Sequence, residues 1–336
     1  MSSGLATSEV QRDPVPRQLD PGRQLSDRVF HGTAKTVGLF VLGVTGAIGL
    51  FLGYQAIPTL RHYGIHFFTQ VNWEPELNRI GIAGVLLGTV EVALVAMVVS
   101  FPLAITMALF ISEYAPRQVK SWLVSAIDLM AAVPPIIYGL WGFFLLMPHA
   151  IFFARWLSQY LSWIPIFKVS TDANAPVWQQ SSYTGSVFIA GLTVSMMTIP
   201  LACAVMRSVF DQTPLGEREA AMALGGTKFG VIRRVVLPFA KGGVIGGTML
   251  ALGRALGETA AVLVVISTAY VISFHILQAG TQTTSALIAG NFGDATKAQL
   301  SALLAAGFVL FLITLAVNSG AAMVIRRSRS GAATEL

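Results

Sequence analysis

The sequence predicts an all-α membrane protein with six transmembrane helices and both termini on the cytoplasmic side. Three observations carry this. Hydrophobic residues make up 54% of the 336 residues and charged residues only 11%, with a mean hydropathy of +0.68, whereas a soluble domain carries about 25% charged residues. The apolar residues gather in runs of roughly 20 or more, the length that crosses about 30 Å of hydrocarbon as a helix. The basic residues are divided unevenly between alternate loops, and that bias sets orientation in a bilayer.

The first run covers about residues 37–57 and the second about 83–112, which contains Pro102. The third covers about 119–147 with Pro134 and Pro135 inside it, and the fourth about 185–206 with Pro200. The fifth covers about 242–272 and the sixth about 300–325. Some of these exceed about 25 residues, which calls for tilt, kinks or turns outside the hydrocarbon. The prolines are compatible with spans whose freed carbonyls face neighbouring helices or cavities.

Residues 1–36 are polar, hold Pro14, Pro16, Pro21 and Gly22, and read as a cytoplasmic tail. No apolar stretch comes early enough for a signal peptide, so the first span is expected to act as an uncleaved anchor. With the N-terminus inside, 16 of the 22 Lys and Arg residues fall in cytoplasmic segments. Five (Arg61, Arg79, Arg155, Lys168 and Lys297) fall outside, and Arg254 falls within a span. The expected organisation is a tail (1–36), a first helix with its outside loop (37–82), a transmembrane helix bundle (83–325) with a long cytoplasmic loop at 208–240, and a short tail (326–336). The outside segment 148–184 is rich in aromatics, Phe152, Phe153, Trp156, Tyr160 and Trp163. It reads either as a helix lying in the interface or as a packed loop capping the bundle, and it is a place where a soluble partner could dock.

The loop between spans four and five is the most informative segment. It reads Glu219-Ala220-Ala221-Met222-Ala223-Leu224-Gly225, and nine residues later Val235-Val236-Leu237-Pro238. Residues 217–224 suit a short helix with acids near its start, where the dipole favours them. Gly225 and Gly226 suit a helix stop. Residues 229–236 read as a second short helix ended by Pro238. Two short helices projecting from a bundle make a rigid knob that fits a socket on another protein.

In the fifth span, Arg254 stands about 12 residues in, near mid-bilayer. An ionisable group there costs about 2.5–3.5 kcal/mol on insertion scales, so it faces a cavity or a partner. In a continuous helix Glu258 follows one turn on, on the same face, with Thr259 beside it. Gly243 and Gly247 share that face, and small residues let another helix approach closely. Two readings stay open. Arg254 and Glu258 form an internal pair that holds the bundle together, or the arginine fork contacts a tetrahedral oxyanion. Two further acids are read as buried: Glu91 in the outer part of span two and Asp128 in the inner half of span three. Each is a charge partner for Arg254, an anionic gate, or a helix–helix hydrogen bond.

Other chemistry is thinly represented. Cys203 is the one cysteine, so no disulfide framework exists within the chain, and it reads as a small packing residue. His62 and His66 are four apart, a metal-ligand spacing without an evident third ligand. There is no G-x-x-x-x-G-K-[S/T] phosphate loop, and no nucleophile–base or carboxylate pair that suggests catalysis. The chain is therefore not expected to be an enzyme or to hold a metal or cofactor.

The loop pattern Glu-Ala-Ala, three residues, Gly, nine residues, Val, any residue, Leu-Pro resembles the EAA loop of bacterial ABC import permeases, with Val235 where isoleucine is usual. The run Arg254-Ala255-Leu256-Gly257-Glu258-Thr259 resembles the fifth-span signature of high-affinity phosphate permeases of the PstC and PstA kind. Asp27-Arg28-Val29-Phe30, Val133-Pro134-Pro135-Ile136-Ile137-Tyr138-Gly139 and Ala289-Gly290-Asn291-Phe292-Gly293 are PstC-like rather than PstA-like. The resemblance covers roughly residues 26–327. It implies the type I ABC importer permease (MetI-like) fold and a heterodimer with a PstA-like permease. It also implies two PstB-like ATPase subunits carrying ATP and Mg, and a PstS-like phosphate-binding protein outside. Arg254 and Glu258 would then serve phosphate passage, and Glu219, Ala220, Ala221, Gly225, Leu237 and Pro238 would meet the ATPase. Its rivals are a permease for sulfate or molybdate, a secondary transporter using Glu91, Asp128 and Glu258 as a proton relay, and a membrane scaffold.

Overall fold

The computed structural model describes residues 25–169 and 179–328. The tail readings for residues 1–24 and 329–336, with Arg12, Arg17, Arg23 and Arg329, lie outside the described residues. The chain divides into two compact units, residues 1–50 and 51–336. Helix α1, Leu25–Tyr63, begins ahead of the apolar run that starts at Val37. Within the first unit Phe40, Leu42 and Leu50 are exposed, as on a helix whose solvent is hydrocarbon.

Six helices are long and apolar enough to cross a membrane among the described residues: Arg28–Tyr63, Ala83–Tyr114, Pro135–Tyr160, Val187–Asp211, Lys228–Leu256 and Lys297–Ile325. The number agrees with the sequence reading, but two of the spans are drawn differently. The third run does not form one helix. Helix α4 (Arg117–Ala132) stops at Val133, whose ψ of 131° is extended, and Pro135 opens α5 (Pro135–Trp141). A residue before proline is pushed out of the α region, and proline fits the first helical position, so the pair Pro134-Pro135 ends one helix and starts the next. A π-turn, Gly142–Leu146, joins α5 to α6 (Met147–Tyr160). Phe152, Phe153, Trp156 and Tyr160 therefore belong to the far end of a span rather than to a separate interfacial helix.

The fifth run is displaced as well. Helix α9 (Lys228–Val231) runs through a π-turn, Ile232–Val236, into α10 (Leu237–Leu256). Pro238 does not end a helix; it sits at the start of α10, where the widened turn absorbs its missing N–H. The helix then breaks at Gly257 and resumes only for α11 (Ala260–Val265). Residues 266–283 form neither helix nor strand, apart from a single bridge of Ala279 to Ser186, and lead to α12 (Thr284–Asn291) and the last helix, α13 (Lys297–Ser328).

The second and fourth spans, α3 (Ala83–Leu109, extended by a π-turn to Tyr114) and α7 (Val187–Asp211), form the most extensive helix pair. Gly191 permits it: a Cβ there would lie 2.5 Å from Val95 Cγ1. Helix α10 lies against α7 and α13 through its glycines. A Cβ at Gly243 would meet Val209 Cγ2 at 2.3 Å, and one at Gly253 would meet Asn318 Oδ1 at 2.9 Å. The glycine face that the sequence offered to a partner helix is thus spent largely within the chain. Within the second unit, the end of α1 is held to α13 by Thr59 Oγ1–Ser301 Oγ (2.9 Å) and by Ser301 Oγ donating to Gln55 O (2.8 Å). After α1 come a short helix α2 (His66–Thr69) and a two-stranded hairpin, β1 (Trp73–Glu74) and β2 (Arg79–Ile80), turned by left-handed Asn78.

Candidate functional sites at the helix break and the cytoplasmic knob

The first site is the break in the fifth span. Glu258 is 7% exposed, and its Oε1 accepts from Ala261 N at 3.1 Å, capping the start of α11. Ser285 Oγ donates to the Glu258 carbonyl at 2.7 Å, tying the break to α12. Thr259 Oγ1 turns back to Gly257 O at 3.2 Å. Arg254, in the last turn of α10, is exposed, and its Nη2 donates to Met197 Sδ at 3.5 Å. The Tyr138 phenol, on α5, donates to Met130 O at 2.7 Å.

The Arg254–Glu258 pair allowed by one-turn spacing does not form. Among the described residues the ion pairs are Lys120–Asp211 and Arg218–Glu113. The reason is local: an i, i+4 contact needs an unbroken helix, and the break at Gly257 turns Glu258 into the protein while Arg254 stays on the open side. The arginine therefore keeps most of its five donors uncommitted.

Of the other acids, Glu91 is 9% exposed and makes no hydrogen bond or ion pair among the described residues. It lies one turn from Gly88, where a Cβ would come within 2.4 Å of Gln282 O. Asp128 is not buried. The split of the third run leaves α4 as an amphipathic helix with Ile127 inward, and Asp128 lies on its exposed side. His62 Nε2 lies 3.2 Å from Asn78 Nδ2.

The second site is the knob. Helix α8 runs Leu215–Ala223, close to the predicted 217–224. Gly225 has φ +83°, and the stop is closed by Gly225 N to Met222 O (2.9 Å) and Gly226 N to Ala221 O (3.0 Å). This is the left-handed helix ending for which glycine is favoured. Thr227 Oγ1 then caps α9 by accepting from Gly230 N. The knob displays Leu215, Met222, Leu224 and Phe229, with Leu224 90% exposed. Apolar side chains gathered on so short a projection mark a docking surface.

Beneath it lies a polar network that the sequence reading missed. Arg218 Nη1 sits 3.0 Å from Glu113 Oε1, and its Nη2 donates to Phe210 O. Ser112 Oγ donates to Asp211 Oδ1 (2.9 Å), which also pairs with Lys120 Nζ at 2.9 Å. Lys228 Nζ stands 5.6 Å above the Tyr114 ring. The available signal was Glu113 itself, a lone acid closing a long apolar span.

At the opposite end, the hairpin and the start of α13 enclose a cavity of about 520 Å³ whose lining includes Glu74, Glu76, Tyr270 and Asp294.

The family model described as binding-protein-dependent transport system inner membrane component matches residues 100–330. A phosphate transport system permease protein PstC of Xylella fastidiosa is 37% identical over 328 residues, covering 97% of this chain and 98% of that protein. The phosphate transport system permease protein PstC 2 of Mycobacterium tuberculosis is 36% identical over 311 residues, covering 91% and 94%. Among solved structures, a bacterial alginate ABC transporter in complex with an alginate-bound periplasmic protein has a chain that aligns with a TM-score of 0.56 at 16% identity, covering 91% of this chain and 96% of that one. That likeness establishes the fold of an ABC importer permease. The chain belongs to the family of binding-protein-dependent transport system inner membrane components.

Proposed function

We propose that this chain is the permease subunit of an ATP-driven, high-affinity inorganic phosphate importer. It would form the translocation path with a second, PstA-like permease. The observation that carries the proposal is near-full-length similarity to phosphate permeases in a chain whose fifth span ends on an exposed, uncommitted arginine. Arg254 would contact phosphate transiently through its planar fork. A permanent strong site would trap the ion, because passage needs binding weak enough to release. The Glu258 carboxylate would set the geometry of the break and place a negative charge behind the arginine.

ATP and Mg would sit on two PstB-like subunits, one docked on this knob and the other on the second permease, with the motif residues Glu219, Ala220, Ala221 and Gly225 shaping the contact here and Leu237 and Pro238 anchoring its return. A PstS-like phosphate-binding protein would dock at the opposite end. The proton-relay rival finds little support: Glu258 caps a helix, Asp128 is exposed, and no hydrogen bond among the described residues links either to Glu91.

The test is reconstitution of the chain with candidate partners in vesicles. Phosphate uptake that requires ATP and the binding protein is the expected result. Uptake of sulfate or molybdate in its place reassigns the substrate, and uptake without ATP defeats the importer reading. Cysteine labelling at Ser2 and Thr334 should succeed only from the cytoplasmic side; labelling from outside would overturn the orientation.

A further inference from the structure

The knob is joined covalently to two spans only. The turn at 212–214 ties it to α7, and the π-turn Ile232–Val236 ties it to α10. Nothing in the chain path connects it to the second span. The Arg218–Glu113 contact supplies that connection. Arg218 lies on α8 beside Glu219, and Glu113 lies in the π-turn Phe110–Tyr114 that closes the second span. Arg218 Nη1 lies 3.0 Å from Glu113 Oε1 and 3.3 Å from Oε2, so it straddles the carboxylate. Its Nη2 donates to the Phe210 carbonyl near the end of α7, which also accepts from Thr213 N at 3.1 Å, so the guanidinium is tied to the turn that closes that helix. The two side chains are only 15% and 11% exposed, unlike the 33% of each partner in the neighbouring Lys120–Asp211 pair. A charge pair held this far from water has a fixed geometry and is costly to break from one side. Arg218 Nε is buried without a partner, so the seat is not fully satisfied and a displaced arrangement has a donor to offer.

We infer that Arg218 and Glu113 form a strut that carries movement of the knob to the second span, making them positioning residues for coupling rather than parts of the substrate path. This rests on the importer reading. When a docked ATPase displaces α8, the strut drags the inner end of the second span together with α7. The other end of that same span carries Gly88 against Thr281 and Gln282. Without the strut, the knob keeps only the Lys228–Tyr114 ring contact and the apolar cluster that holds Ile111 with Val231 and Val236 to act on the second span, neither of which fixes a direction of pull.

The test uses the complete complex in proteoliposomes, comparing wild type, Glu113→Gln, Arg218→Gln, the double variant and Arg218→Lys. Three quantities are read: subunit stoichiometry, ATP hydrolysis with and without phosphate-loaded binding protein, and phosphate moved per ATP. Each single variant should assemble and hydrolyse ATP, and should lose about tenfold in phosphate per ATP, the change that ~1.4 kcal/mol of lost coupling produces. The double variant should be no worse than either single one, because both remove the same contact. Arg218→Lys should recover part of the coupling, since it keeps a charge for Glu113 but loses the fork. An unchanged ratio in both single variants, losses that multiply in the double variant, or failure of every variant to assemble would make the pair a packing feature and overturn the inference. A wild-type complex that hydrolyses ATP but moves no phosphate defeats the importer reading separately. The strut would then still have to show itself as lost stimulation of hydrolysis by the binding protein.

Discussion

Two arginines of this chain meet opposite fates. Arg218, under the knob, spends its guanidinium on Glu113 and the Phe210 carbonyl and is mostly enclosed. Arg254, at the break in the fifth span, is exposed and binds nothing stronger than the Met197 sulfur. The difference lies in the backbone around them. Arg218 lies where three helix ends converge, so the Glu113 carboxylate and the carbonyl at the turn after α7 are both within reach. Arg254 lies where a helix stops, and the acid that a continuous helix would have brought beside it is turned away. A committed arginine suits force transmission, and an uncommitted one suits a passing anion.

The largest expected effect tests the second half of this contrast. Arg254→Gln removes charge-assisted hydrogen bonds worth about 1.5–3 kcal/mol each, so two lost together should lower uptake about 100-fold or more. The complex should assemble normally, because the wild-type side chain holds little in place. Impaired assembly, read by size-exclusion chromatography, would make Arg254 a structural residue like Arg218. The charge-swapped double variant Arg254→Glu with Glu258→Arg should not recover transport, since the two side chains are not paired.

Gly225→Trp comes next. The open space around Gly225 leaves room for a side chain, but φ of +83° penalises any Cβ by about 1–2 kcal/mol. The helix stop should distort, cutting phosphate moved per ATP about tenfold while the membrane bundle stays folded. Normal coupling would remove the knob from the mechanism. Glu258→Gln retains an acceptor for Ala261 N and loses only the charge at a helix start, worth about 0.3–1 kcal/mol. Uptake should fall by no more than about fivefold; complete loss would show that the Glu258 charge acts on the ion directly. The smallest effect is expected from Lys120→Ala. Its pair with Asp211 is one-third exposed on both sides, and such pairs contribute about 0–1 kcal/mol and weaken with salt. A stability loss as large as that of Glu113→Gln, measured by thermal unfolding, would erase the distinction between the enclosed and the exposed pair.

Much of this was legible in the order of residues. Six apolar runs gave six membrane-crossing helices, and the Gly225 stop and the α8 helix appear close to where local rules put them. Two spans were misdrawn because hydropathy counts apolar residues and not backbone breaks. Pro134-Pro135 divided one run, and the break at Gly257 shortened the other. Asp128 was read as buried because its span was taken as one membrane helix, and the split left it exposed.

Sequence alone therefore determined the class of solvent, the number of spans and the shape of the knob, because each depends on contacts within about one helical turn or on a sum over a window. Tertiary structure alone decided which charges meet. Glu113 and Arg218 are 105 residues apart and are brought together by the convergence of three helix ends. Arg254 and Glu258 are four apart, and a single broken turn separates them. Pairing of charges depends on direction in space, and direction is set by how helices end and pack rather than by their spacing along the chain.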